Sequence, residues 1–545
     1  MSLVLSALVV VVFIVLPLAC LPRQIPLQGL GIPPDFESLT LDWNLETTPD
    51  PNWSGHLIFD TVSSLLLHWS NTRYRNGHNI VPGSVPIGTL LYHGRGDNAI
   101  PTFPGWTSTN PEHSFTFCAD STSKDGSTAG CWQLTFVVTR PLRVLYFDGA
   151  SGAKMENGPM DAQDLLLWGG VDPARRMDER ERLNALCALG KDFGIDGYAR
   201  MEMDFEVMLC DFSNGVELLS ADYLAAWMAG PAREPLILGT IVSASWNSRH
   251  PGETRVHLDL TKLISFYDTS LAPSLIPERE GKERWDHRVL GISAPDLAVV
   301  KTRLQDVLAS GTNMGSGVDW KTLFRVVVDR YADRLETLDH LLATTTTDNL
   351  PERAPIIQTE LRLMLTPYIL YTARPHWLSS TSNSASYVYG GNEAWALPVW
   401  RACATRHTAH IHRNSGVQSR LTSSERLLLG ALDGTNREIC RVLVRMWVAG
   451  VHAGVDTLLP READPSASTP VLSPTLDQWR THAHSLISWL DWSAWVKCRP
   501  MCPAEEMCYL PTWPYFGVNE WDRKDERWKR PQPRCIRKFR PYSVL

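Results

Sequence analysis

The sequence contains no HExxH, no GxSxG and no GxxxxGK. Each absence removes a chemistry: the two-histidine zinc helix, the strained serine elbow and the phosphate-cradling loop. A CxxC is missing too, which disfavours a structural zinc site. An excess of one charge sign is also lacking, with 52 Lys and Arg against 59 Asp and Glu and a net charge of −7. Such a balance carries no electrostatic footprint for nucleic acid. Internal repeats are absent. Long apolar runs are limited to the amino-terminal "MSLVLSALVVVVFIVLPLAC", which argues against multiple membrane-spanning helices.

That one run, apolar from Leu3 to Leu16 and followed by Pro17 and Ala19, has the form of a signal-peptide core and cleavage zone. Only the α-amino group charges its start, so a retained anchor through residues 3–21 is the competing reading. Both place the bulk of the chain in the lumen or outside the cell, secreted or membrane-anchored. Eleven cysteines fit that compartment, because removing Cys20 with the leader leaves an even number for disulfides. Cys118 and Cys131 bracket a polar loop that a bridge would close, and Cys498, Cys502, Cys508 and Cys535 form a terminal cluster. Asn52-Trp53-Ser54 is the one glycosylation sequon singled out.

At 545 residues the chain exceeds what one hydrophobic core usually serves. The expected order is a leader over residues 1–21, a linker over 22–45, an α+β domain over 46–275, a helical domain over 276–497 and a Cys- and Trp-rich basic tail over 498–545. The fold class is α+β: an N-terminal mixed α/β-sheet domain, then a mostly α-helical domain, then the tail. Apolar spacing predicts a helix over 55–75. Strands are predicted at Thr89–Tyr92, from Trp132, from Leu142, as one run from Tyr198 ("YARMEMDFEVMLCDF"), and from Leu236 ("LILGTIVSASW"). Helical stripes follow over 295–309, 320–342, 356–372, 424–450 and 475–497, the last opening with Ser473 as N-cap and Pro474.

Tryptophan is abundant, 21 in all, with Trp479, Trp489, Trp492, Trp495, Trp513, Trp521 and Trp528 close together. Large rings packing in a core compete there with a sugar-stacking surface. From residue 521 onward nine basic residues face three acidic ones. Such a tail suits an anionic surface, or simply water.

Two stretches carry candidate chemistry. On a strand, Glu202, Asp204 and Glu206 would share one face, and enclosure would raise the pKa of at least one of them. His93 ends the first strand and Gly94 follows it, leaving room for a ligand to approach. The competing readings are a wet acidic face and a histidine bonded to a loop carbonyl. The adjacent Arg95-Gly96-Asp97 has the form of an adhesion tripeptide. In "CATRHTAHIHRN", Cys403, His407 and His410 would share a helical face with His412 near. A disulfide for Cys403, with Cys440 as one partner, competes with that metal spacing, and no metal is assigned.

The strand-end His-Gly, then an aromatic with a Ser/Thr pair, then a strand-borne acid-x-Glu resembles the split active site of ADP-ribosyltransferases over residues 88–210. It departs from that pattern in lacking the tyrosine or the Ser-Thr-Ser run of the second motif. The resemblance implies that His93 contacts the NAD ribose, that Trp106 or Tyr92 stacks on nicotinamide, that Ser108 supports the site and that Glu206 binds the ribose hydroxyl. Asp204 matches the place of a second acid, and NAD would be the substrate, with no resident cofactor assigned. Over most of its length the chain resembles large fungal secreted or membrane-associated proteins of unknown activity, through "YHGR", "YFDG", "RM…FE…CDF" and "CYLPTWP". Two functions follow as expectations. One is an enzyme acting at a glycosidic bond through His93 and the acidic strand. The other is a non-catalytic, disulfide-braced extracellular or membrane-anchored binding or scaffold protein.

Overall fold

A computed structural model describes residues 43–118, 131–224, 233–311, 315–375, 393–459, 472–514 and 529–541. Residues 44–545 form one compact unit. The amino-terminal apolar run, Trp521 and Trp528 lie outside the described residues. No described helix is long and apolar enough to cross a membrane.

The chain enters through helix α1 (Gly55–Ser63) and helix α2 (His68–Arg73). The single helix expected over 55–75 is therefore interrupted. Ser63 and Ser64 donate their hydroxyls back to the Asp60 carbonyl, at 3.0 and 2.6 Å, and Leu66 takes a left-handed φ of 64°. Side chains that bond the preceding turn compete with the next helical hydrogen bond.

Among the described residues, ten strands then build one sheet. They are β1 (Asn79–Val85), β2 (Leu90–Arg95), β3 (Gly105–Ser108), β4 (Cys131–Val138), β5 (Leu142–Phe147), β6 (Gly197–Met201), β7 (Phe205–Leu209), β8 (Val216–Leu224), β9 (His257–Leu258) and β10 (Ile264–Ser265). Their spatial order is β10-β1-β5-β6-β7-β3-β2-β4-β8, with β9 beside β1. Neighbours are antiparallel except β5 and β6. A parallel pair needs a long crossover, and helices supply it here. Within this half, α3 (Pro111–Cys118) follows β3, α4 (Asp161–Trp168) and α5 (Glu179–Lys191) carry the chain from β5 to β6, and α6 (Arg233–Ser245) follows β8. Ile80, Phe147, Tyr198 and Met208 of the sheet pack on Leu165 of α4 and Leu186 of α5. Cys187 and Cys210 lock α5 to the end of β7.

Two strand expectations are corrected. The run from Tyr198 is not one strand but the β6–β7 hairpin, turning at Glu202-Met203-Asp204. Glu202 N donates to Asp204 O at 3.1 Å, and the Asp204 carboxylate accepts the Phe205 N–H at 2.7 Å. An aspartate that bonds its own neighbouring amide makes a turn without glycine. The run from Leu236 lies in helix α6, because Ile237, Leu238, Ile241 and Ala244 recur at helical spacing and are buried.

The second half is helical, as its period implies: α7 (Leu275–Arg279), α8 (Ala294–Ala309), α9 (Trp320–Thr344), α10 (Leu350–Leu365), α11 (Leu397–Thr405), α12 (Ser423–His452) and α13 (Ser473–Leu490), with short turns between. The last begins at Ser473 itself, so Leu472 and not the serine stands at the N-cap. Helix α12 opens with a capping box of Thr422 and Glu425, and Leu428, Leu432, Ile439, Leu443 and Trp447 line its buried faces. Cys403 and Cys440 bond α11 to α12, and Phe59 of α1 meets Phe324 of α9 at 5.0 Å. Strands β11 (Glu506–Tyr509) and β12 (Arg534–Arg537) close the chain as a hairpin. Tyr509 and Ile536 sit on Ile237 and Ile241 of α6.

Candidate functional site

The register of the sheet lines up several of the sequence candidates. Tyr92 of β2 stands opposite Ser108 of β3, Ser108 opposite Glu206 of β7, and Glu206 opposite Arg200 of β6. Paired positions on neighbouring strands share a face, so these four side chains form one row. Trp106, two residues before Ser108, shares that face, and its ring meets Phe117 of α3 with centroids 3.7 Å apart. Helix α3 thus covers the row. The Ser108 hydroxyl donates to the Asn110 carbonyl at 2.5 Å and is fully buried.

His93 is one residue out of the row in register, yet its ring still meets that of Trp106, centroids 5.2 Å apart. Its ring rests on Phe212, centroids 5.4 Å apart, and Nδ1 lies 2.7 Å from the Trp106 carbonyl. Burial lowers its pKa to about 4, against the carbonyl bond that raises it. It is a neutral histidine inside β2, which runs on to Arg95 and does not end at His93 as the sequence suggested. Gly94 is buried inside the ladder opposite Gln133. His93, Ser108 and Glu206 line none of the four cavities described among these residues.

The hairpin also separates the three acids. Glu206 Oε2 accepts Arg200 Nε at 2.9 Å, and Oε1 lies 3.2 Å from His113 Nε2, all three residues being at most 2% exposed. Burial opposes the charge on Glu206, but Arg200 and His113 outweigh it and hold the carboxyl well below the usual range. Burial likewise opposes a proton on His113, yet Glu206 raises its pKa. The far end of Arg200 pairs with Glu179, which also meets Lys154 at 3.3 Å. Against burial, Arg200 and Lys154 lower Glu179 to about 2.

Glu202 differs. Burial raises its pKa and Glu206 adds to that, while Lys154, 3.8 Å away, pulls it down. The indole of Trp513 donates to Glu202 Oε1 at 2.9 Å. Asp204 faces a second group: it accepts from Asn110 at 2.5 Å and Asn247 at 3.3 Å. Asn247 reaches Glu253, whose carboxylate is held by Arg255 at 2.6 Å and by the Thr109 hydroxyl at 3.1 Å. A carboxylate whose two oxygens already face two cations is poorly placed to take a proton or attack a sugar carbon. Chemically, the arrangement is a set of buried ion pairs.

The structure therefore brings Tyr92, Trp106, Ser108 and Glu206 together, leaves His93 and Gly94 beside them, and divides Glu202, Asp204 and Glu206 among three environments. Arg200, His113, Glu179 and Glu253 were missed. Arg200 lay inside the quoted run, six residues before Glu206, and only a hairpin makes it a partner. No spacing in the sequence points to the other three.

Other expectations find their places. Cys498 bonds Cys508 and Cys502 bonds Cys535. The sulfurs of Cys498, Cys502 and Cys535 lie within 4.8 Å of one another, but as disulfides they offer no thiolate to a metal. Cys131 is disulfide-bonded as well, while the side chain of Cys118 lies outside the described residues. Cys403 is spent on Cys440, His407 bonds the Leu323 carbonyl at 2.9 Å, and His412 pairs with Asp433 at 2.7 Å, which removes the metal spacing. Arg95 and Asp97 of the RGD pair with each other at 2.8 Å. Trp479 and Trp492 are buried, and Trp495 donates to the Ala332 carbonyl at 3.0 Å, so these rings pack within the protein.

Residues 122–227 match the family model described as the YPL277C N-terminal domain, a stretch that includes the acidic hairpin. The chain is 22% identical over 549 aligned residues to the uncharacterised protein YOR389W of Saccharomyces cerevisiae, covering 84% of this chain and 81% of that protein. It is 31% identical over 206 residues to the uncharacterised protein YPL277C of the same yeast, covering 30% of this chain and 42% of that protein. No solved structure matches. The similarity is to fungal proteins of unknown function, and neither relative's name assigns an activity.

Proposed function

We propose that this chain is a non-catalytic, disulfide-braced binding protein of the secretory pathway, secreted or anchored through residues 3–21. In it the acidic hairpin is a structural lock. The observation that carries this reading is the closure of Glu206 between Arg200 and His113, at 2.9 and 3.2 Å. Disulfides suit an oxidising compartment. Four are described, at Cys187–Cys210, Cys403–Cys440, Cys498–Cys508 and Cys502–Cys535. Asn52 of the sequon is exposed, as an acceptor of a glycan has to be.

A second reading keeps the glycosidic chemistry, and one observation favours it: Tyr92, Ser108 and Glu206 stand side by side on three adjacent strands. In that reading a ribose hydroxyl replaces Arg200 or His113 at Glu206, and the carboxylate stabilises oxocarbenium charge.

Incubating the purified chain with NAD separates the two. The binding reading expects no release of nicotinamide above a blank. Release that disappears in a folded Glu206→Gln variant overturns it and installs the second.

A further inference from the structure

Outside the sheet lies an open cleft of about 560 Å³ between the start of α1, the turn after α7 and the end of α13. Its volume lies in the range of small-molecule sites. Trp53, His56, Arg279, Lys282, Trp285 and Trp489 are among its lining residues. We infer that this cleft binds a small ligand combining a planar group with an oxyanion, carboxylate or phosphate, whose charged end sits on Arg279.

Arg279 ends α7. One of its nitrogens, Nη1, donates to the Phe266 carbonyl at 3.0 Å, and the guanidinium lies 4.4 Å over the ring of Tyr267. Its Nε and Nη2 are buried without a hydrogen-bond partner, and among the described residues no carboxylate pairs with it. A guanidinium left in that state is costly unless something accepts from it. Nε and Nη2 are shut from solvent as the side chain stands, and they become the two donors that grip a carboxylate or phosphate side by side when this half-buried side chain turns into the cleft.

The acids around the cleft are mostly engaged elsewhere. Glu278 meets Lys282 at 3.7 Å, Glu283 meets Arg530 at 2.9 Å, and Asp491 meets Arg73 at 3.0 Å. Glu280 stands exposed at the rim. The neighbouring Arg284 shows the alternative, since it is buried on Asp60 at 2.7 Å. The histidines respond to the remaining positive charge. Burial first, then Arg284, lowers His56 to about 3, and burial with Arg279 lowers His287 to about 4.

The planar half of the ligand follows from the walls. Trp53 and Trp489 are near-parallel, 14° apart with centroids at 5.8 Å, and His56 stacks on Trp489 at 4.4 Å. Trp285, also lining the cleft, is half-buried. Indole surfaces at a cleft wall favour flat, apolar groups.

The inference deepens the binding reading above and rests on it. Its test is titration calorimetry on the full chain with inorganic phosphate, phenyl phosphate and benzoate. Phenyl phosphate should bind more tightly than inorganic phosphate. Arg279→Lys should weaken the anions by about tenfold or more, because an ammonium cannot replace the fork. Trp489→Leu should weaken phenyl phosphate while leaving inorganic phosphate unchanged. Benzoate binding as well as phenyl phosphate assigns a carboxylate ligand, and preference for phenyl phosphate assigns a phosphate. In the native chain, phenyl phosphate should slow phenylglyoxal labelling of Arg279, a readout that does not depend on any variant folding. No heat from any probe up to about 10 mM, or labelling indifferent to phenyl phosphate, overturns the inference and leaves the closed acidic hairpin standing. Nicotinamide release from NAD does the reverse: it removes the binding reading without touching this cleft.

Discussion

The acidic hairpin and the α7 cleft are both built around an arginine, buried in the first and half-buried in the second, yet they are opposites. At the hairpin, Arg200 is met by Glu206 at 2.9 Å and by Glu179, and the group is shut under α3 and Trp513. At the cleft, Arg279 is met by a carbonyl and a phenol ring and lines a void. A closed set of pairs specifies a fold, whereas an unanswered cation leaves affinity for something outside the chain. Carboxylates on a strand therefore mark a site less well than an arginine without one.

The comparison predicts unequal costs. Glu206→Gln leaves Arg200 with one partner and should destabilise the protein by about 3–5 kcal/mol in urea unfolding. A loss below about 1 kcal/mol would mean that the hairpin pairs are dispensable. Replacing Cys187 and Cys210 by serine opens a link of sequence separation 23 and should cost about 3 kcal/mol. The measure is the melting temperature under non-reducing conditions.

Acid should unlock the same region. Glu206 and Glu179 have folded pKa values below their unfolded ones. Their contribution is therefore complete above the unfolded carboxylate pKa near 4.5 and fades as pH falls towards 2. For Glu179 this amounts to up to about 3 kcal/mol. His113, raised by Glu206, acts at the other end, its contribution being lost as pH rises through its folded pKa. Unfolding in urea at pH 7, 5 and 3 should show the fall, and a flat profile across that range would contradict the pairs.

Trp513→Phe keeps an aromatic side chain, though a smaller one, and removes the bond to Glu202, a change of about 1 kcal/mol. Smallest of all is Arg279→Lys, expected to shift the melting temperature little, since its lost contacts are one carbonyl bond and a ring stack. A large destabilisation there would put the two regions in the same class.

How much was legible in the sequence follows from which forces act locally. The strand from Trp132 and the helices over 320–342 and 424–450 were readable because alternation and helical spacing there match their burial, and the strand from Leu142 because a short apolar run suits a strand buried on both faces. Helix α6 was misread since Ile237, Ile241 and Val242 favour strands in isolation, and packing on Tyr509 and Ile536 decided the outcome. The hairpin was misread because Glu-Met-Asp is not a turn signature, and its turn rests on the Asp204 carboxylate. Ser108 and Glu206 were chosen together and do stand side by side, but nothing in the run announces that Glu179 and His113 arrive from elsewhere. Arg279 carried no signal at all: an unpaired charge is a property of what fails to approach it.

The bond from Trp513 to Glu202 joins residues 311 apart, and that from Ser493 to Asp60 joins residues 433 apart. A ribosome adding about 5–20 residues per second exposes the hairpin for tens of seconds before Trp513 has been made. Until then Glu202 waits without its indole, and Asp60 without its serine. A chain that stops before residue 490 lacks both bonds, and Glu202 and Asp60 are then left to Lys154 and Arg284 alone.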